Sequence, residues 1–176
     1  MPVSESLASR RHKLYTEEEL RRRDNSPWTL VQGVLAIFQF VVFLVSSALI
    51  ARYLATGEGL ALATASVAVK TLVLYAIMIT GSIWEKEVFG CYLFAPAFFW
   101  EDVVSMFVIA LHSAYLVAYL STSADVSTQL LLACAAYAAY VLNAAQFILK
   151  FRAARRQTGG APPPSSSTAA LAGEAS

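Results

Sequence analysis

Past residue 27 the chain is built of long apolar runs separated by short polar breaks. The runs cover roughly residues 28–54, 61–84, 96–120 and 128–151, and each is dominated by Ala, Leu, Val, Ile and aromatic residues. Each meets the ~20 residues that a helix rising ~1.5 Å per residue needs to cross ~30 Å of hydrocarbon. The pattern predicts an all-α polytopic membrane protein. A four-helix transmembrane domain should occupy residues 28–156, preceded by an N-terminal segment, 1–27, and followed by a tail, 157–176. The first run is too long and starts too late for a signal peptide, whose apolar core spans about 7 to 15 residues. Thr16 and Glu19 have capping-box spacing, and Ser26-Pro27 offers an N-cap followed by proline at the first helical position, so a short interfacial helix should break just before the first span. The tail TGGAPPPSSSTAALAGEAS is small, Pro-rich and weakly charged, and is expected to be disordered.

Composition agrees: 57% of the 176 residues are hydrophobic and only 14% charged, with a mean hydropathy of +0.57. Four spans leave little chain for a soluble domain. Lys and Arg placement sets the expected orientation. Arg10, Arg11, Lys13, Arg21, Arg22 and Arg23 precede the first span, and Lys150, Arg152, Arg155 and Arg156 follow the last. The first and third loops have only Arg52. By the positive-inside tendency both termini and the middle loop are cytoplasmic. A net charge of +1 without a continuous basic stripe gives no footprint for nucleic acid. Cys91 and Cys134 imply neither a disulfide nor a CxxC metal site.

Polar residues inside the spans are costly in lipid and should face the bundle interior. Gln32 and Gln39 are seven apart, and Asn143 and Gln146 three apart, so each pair shares a helix face. Glu101, Ser105, Val108 and His112 follow i, i+4, i+7, i+11 on another stripe. Counted from the cytoplasmic ends, Gln39 and His112 lie ~16 Å deep and Lys70 ~21 Å. This predicts a funnel between the helices, open to the cytoplasm and floored by His112 and Lys70. Ordinary roles compete at each position: amides serve as interhelical glue at about 0.6 kcal/mol each, Lys70 can snorkel, and a lone His packs helices.

The middle loop is the least ordinary segment. GSIWEKEVFGCYLFAPAFFWED, residues 81–102, sets Glu85, Glu87, Glu101 and Asp102 among Trp84, Phe89, Tyr92, Phe94, Phe98, Phe99 and Trp100. An interfacial aromatic belt accounts for some of the rings. Four acids against Lys86, on the side where cations are favoured, need another reason.

These residues carry a resemblance. WTLVQGVLAIFQFVVFLVS, the block WEKEVFG…LFAPAFFWED and YVLNAAQFILKFRAARR are similar to the vinyl hydratases of bacteriochlorophyll biosynthesis, from about Leu14 to Arg156. The resemblance implies a membrane enzyme of the bacterial inner or intracytoplasmic photosynthetic membrane. It would hydrate the 3-vinyl group of chlorophyllide or bacteriochlorophyllide to a 3-(1-hydroxyethyl) group. It implies no cofactor of the enzyme's own, the magnesium being carried by the pigment. Expected partners are the pigment, the bilayer and other pigment-biosynthesis enzymes. The resemblance brings no residue roles, so these come from chemistry. Vinyl hydration needs a proton on the terminal carbon and water on the inner one, a task for two carboxylates in different protonation states. A helix C-terminus favours the neutral acid and an N-terminus the anion. Glu85 or Glu87 is therefore the candidate acid and Glu101 or Asp102 the candidate base. Trp84, Phe99 and Trp100 are candidates to stack on the macrocycle, with Gln39, Asn143 and Gln146 as polar contacts and His112 as a contact to the pigment's magnesium. A non-enzymatic pigment carrier or assembly factor would use the same aromatics and His112 without needing the acids. A proton-coupled transporter is a poor fit for four spans without an internal repeat.

Overall fold

A computed structural model of the chain describes residues 14–121 and 124–159. Arg10, Arg11, Lys13 and the tail beyond residue 159 lie outside the described residues. Five helices follow in order: α1 (Glu17–Asn25), α2 (Pro27–Thr56), α3 (Leu60–Phe89), α4 (Phe99–Leu120) and α5 (Val126–Gly159).

Local chemistry sets the boundaries. Thr16 caps α1 through a complete capping box: its N–H donates to Glu19 Oε2 at 2.7 Å and its Oγ1 accepts from the Glu19 N–H at 3.3 Å. The chain breaks at Ser26, whose Oγ accepts from the Trp28 N–H at 3.3 Å, and Pro27 opens α2. Left-handed glycines close the next two helices, Gly57 (φ 72°) after α2 and Gly90 (φ 85°) after α3, a conformation that glycine adopts without a Cβ clash. Asp125 starts α5: its Oδ1 accepts from the Thr128 N–H at 3.1 Å, and the Thr128 hydroxyl and amide hold this exposed carboxyl below the usual carboxylate range.

The four long helices are long and apolar enough to cross a membrane. Their outward faces are apolar, with Leu30, Ile37, Leu44, Leu72, Ile79, Leu131, Leu142 and Leu149 each at least half exposed. Such a surface suits lipid rather than water. α2 packs closely on α3, and α4 on α5, as two hairpins; backbone approach between the hairpins is sparser. Bulky side chains fill the space between them. Ile50, Val67, Tyr115 and Tyr137 pack the end near the short loops, Leu74, Val108 and Tyr140 the middle, and Tyr15, Val88 and Phe98 the end that carries α1.

Candidate functional site

The last turn of α3 and the first turn of α4 meet at the α1 end, joined by the loop 90–98. Here Glu85 and Asp102, both at most 5% exposed, are brought side by side by two adjacent loop amides. Two carboxyl groups this close and this buried repel one another when both are ionised, which favours one acid beside one carboxylate. Consecutive loop amides hold it: the Phe94 N–H donates to Asp102 Oδ2 at 2.7 Å and the Ala95 N–H to Glu85 Oε2 at 3.2 Å. Aiming both amides at the acids coincides with Phe94 at φ 61°, a left-handed conformation for a residue with a Cβ, which costs on the order of 1–3 kcal/mol. The neighbouring Glu101 is held separately: Lys150, from the end of α5, reaches its two oxygens at 3.0 and 3.1 Å and lies over the Phe98 ring. Glu87 is exposed and accepts from Ser26 Oγ at 2.7 Å. Of the four expected acids, the structure sets Glu85 beside Asp102 on consecutive amides, ties Glu101 to a lysine and bonds Glu87 to Ser26.

The aromatics divide into two groups. Tyr15, Trp84, Phe89, Phe98 and Phe147 pack against one another in stacked, tilted and edge-on contacts, and Trp84 Nε1 donates to Thr29 Oγ1 at 2.9 Å. Burial pushes the Tyr15 phenol up to about 12, with Arg23, whose guanidinium lies 5.0 Å from the ring centre, pulling the other way. The second group, Tyr92, Phe94, Phe99 and Trp100, remains exposed beside the acid pair, with Phe99 tilted against Phe94 and edge-on to Trp100. Phe99 and Trp100 are thus exposed, while Trp84 is used in packing.

A second polar cluster lies in the middle of the bundle. Lys70 and His112 have no exposed surface and Gln39 only 2%. Lys70 Nζ sits 3.2 Å from the centre of the Tyr140 ring and 5.6 Å from that of Phe43. The His112 ring stacks on Tyr137, and its Nδ1 lies 2.9 Å from the Val108 carbonyl. A carbonyl only accepts, so Nδ1 carries the proton, and in the neutral ring Nε2 is a bare acceptor. Tyr137 bonds to Ser46, which bonds to Ser66 at 2.6 Å. Nearer the acids, Asn143 Nδ2 donates to Ser105 Oγ at 2.9 Å.

His112 stands ten residues from Asp102, ~15 Å along α4, and the two groups do not form one site. The expected funnel also differs from what is found. The deep polar groups are enclosed by packed side chains, and an open cleft of about 500 Å³ at the opposite end is lined by Leu60, Ala61, Thr64, Tyr119, Ala124, Val126 and Gln129. The funnel was inferred from helical stripes, which give the face of a polar residue but not whether Phe43, Tyr137 or Tyr140 fills the space beside it. Lys150 and the loop amides escaped sequence reasoning. Lys150 lies on the Asn143 stripe, seven residues on, which was a readable signal; the amides depend on a backbone conformation that no side chain announces.

This end of the molecule can be compared with known proteins. The profile of the 2-vinyl bacteriochlorophyllide hydratase family matches residues 15–153, and so includes all the polar groups described above. Two curated relatives carry that same name. The one from Rhodobacter capsulatus is 59% identical over 157 residues, 89% of this chain and 91% of the relative. The one from Cereibacter sphaeroides is 61% identical over 150 residues, 85% of this chain and 93% of the relative. No solved structure matches. With the match running from the α1 cap to beyond Lys150 and identity near 60%, this chain belongs to the 2-vinyl bacteriochlorophyllide hydratase family.

Proposed function

We infer that the chain is a multi-pass membrane hydratase that adds water to the vinyl group of a bacteriochlorophyllide, the group numbered 2 in the family name and 3 above. The overall change is R–CH=CH2 + H2O → R–CH(OH)–CH3, with no electrons gained or lost. The observation that carries the mechanism is the Glu85–Asp102 pair, held by two consecutive amides beside exposed aromatics.

The macrocycle lies against Phe99 and Trp100, and its vinyl edge reaches the pair, the vinyl group being slim enough to enter where a ring is not. The protonated member, Glu85 at the C-terminal end of α3, gives its proton to the terminal carbon. The positive charge that develops on the inner carbon spreads into the macrocycle and faces the carboxylate of Asp102. Water attacks that carbon and passes its proton to Asp102, and transfer within the pair restores the starting state. Glu101, neutralised by Lys150, adds little charge of its own and fixes the start of α4 against the end of α5. His112 is assigned no contact with the pigment's magnesium: its bare Nε2 is a suitable donor, but it is sealed and far from the acids.

Both termini and the acid pair face the cytoplasm of a bacterial inner membrane, because the basic residues flank that end. A carrier would have use for the exposed rings but not for two carboxyls sharing a proton. Membranes containing the protein, incubated with vinyl pigment, should convert it to a product heavier by one water. Reporter fusions at Gly57 and Ala124 should read as periplasmic; cytoplasmic signals at both would reverse the orientation.

A further inference from the structure

The middle of the bundle has a concentration of buried polar atoms that the reaction does not use. Among the described residues, Lys70 Nζ, both amide atoms of Gln39, His112 Nε2, Asn143 Oδ1 and Gln146 Oε1 are buried without a hydrogen-bond partner. Lys70 and His112 are fully buried, Gln39 is 2% exposed and Asn143 8%. In a membrane interior each such atom carries a desolvation cost of about 1–3 kcal/mol unless something bonds it.

The mixture of atoms says what that is. Lys70 and the Gln39 amide nitrogen donate. Gln39 Oε1, Asn143 Oδ1 and Gln146 Oε1 only accept, as does Nε2 of the neutral His112 ring. An anion would meet the lone pairs of the acceptors, and a cation the N–H groups of the donors. Water, which both donates and accepts, bonds to all of them, and buried polar sites commonly hold it with two to four partners.

The atoms also form a line. On α5, Asn143 and Gln146 are ~4.5 Å apart along the axis, and Gln146 lies ~6 Å from Lys150, which holds Glu101 beside Asp102. On α4, Ser105 bridges to Asn143 at a level between His112 and Asp102. The α5 gaps are one or two waters long, and the ~10 Å along α4 from Ser105 to His112 about three.

We propose that the seam between the hairpins, from Gln39, Lys70 and His112 through Asn143 and Gln146 to Asp102, holds a file of ordered water that supplies the reacting water to the acid pair. The supply role rests on the hydratase reading above. Pigment lying over Phe99 and Trp100 covers the outer approach to the pair, and the seam reaches it from behind. His112, Gln39, Asn143 and Gln146 then bond water rather than pigment.

Two measurements test this. Radiolytic labelling of the full-length protein in membranes or detergent, without pigment, oxidises side chains that touch bound water. Tyr137 and Tyr140 should be labelled despite their burial. Labelling of the exposed Trp100 with both tyrosines untouched would overturn the file. In the hydration assay, Asn143→Leu should lower kcat roughly tenfold or more with KM unchanged, and Asn143→Ser, small and polar, should retain most of the rate. Gln146→Leu, at a half-buried position, should show the same loss and serves if Asn143→Leu fails to insert. Leucine variants that hydrate at the wild-type rate would overturn the supply role. A labelled seam in a wild-type protein that never hydrates vinyl pigment would overturn the hydratase reading, and the supply role with it, while leaving the bound water standing.

Discussion

At the acidic end of the bundle the polar groups have defined partners: Glu85 takes one loop amide, Asp102 takes the amide before it, and Lys150 reaches both oxygens of Glu101. In the middle, Lys70 has only the faces of Tyr140 and Phe43, and both ends of the Gln39 amide are unpartnered among the described residues. Both regions are nearly closed to solvent, so burial does not separate them. What separates them is preorganisation. The acids are fixed by backbone and lysine in a geometry set before any ligand arrives, as proton transfer requires. The deep groups are fixed by ring packing, their polar atoms left for something small and mobile.

The comparison breaks most readily at the acids. Glu85→Gln and Asp102→Asn keep size and polarity but remove the titrating group, and each should cost roughly 10²-fold or more in turnover while pigment binding survives. Glu101→Gln should cost less, because it loses an ion pair rather than a reacting proton, and Glu87→Gln least. Steady-state hydration with a parallel binding titration checks the order; equal losses at all four would erase the distinction between the pair and its neighbours.

The middle should respond in stability. Lys70→Met replaces a buried amine, which no protein group hydrogen-bonds among the described residues, with an apolar chain of similar length, and the melting temperature in detergent should rise, since removing the polar head relieves its desolvation. A fall would mean that the contact with Tyr140 outweighs that cost. Tyr137→Phe should destabilise by about 1 kcal/mol, the worth of the hydrogen bond to Ser46. At the small end, Thr16→Ala removes the α1 cap and should cost about 0.5 kcal/mol, with little effect on turnover, by thermal melting and assay of the same sample.

The four long apolar helices were legible because an apolar stretch of that length has few alternatives to a helix, and the α1 cap because its chemistry is local. The acids could be singled out for their greasy surroundings, but not paired. Glu85 and Asp102 are seventeen positions apart in the chain, and what joins them is a loop that turns at Phe94, where nothing in the letter F predicts a positive φ. Depth and face were readable for His112 and Lys70 from helical spacing. Enclosure was not, because it depends on which rings of α2 and α5 come to lie beside them.

The account rests most directly on a hydration assay run in oxygen-18 water. Wild-type membranes given vinyl pigment should yield the 1-hydroxyethyl product with solvent oxygen in the new hydroxyl, and the same run in heavy water should place one deuterium on the new methyl carbon. Glu85→Gln and Asp102→Asn membranes should retain bound vinyl pigment without conversion. A wild-type protein that binds the pigment and leaves the vinyl group intact, or variants that convert it at the wild-type rate, would contradict the acid pair as the seat of the reaction.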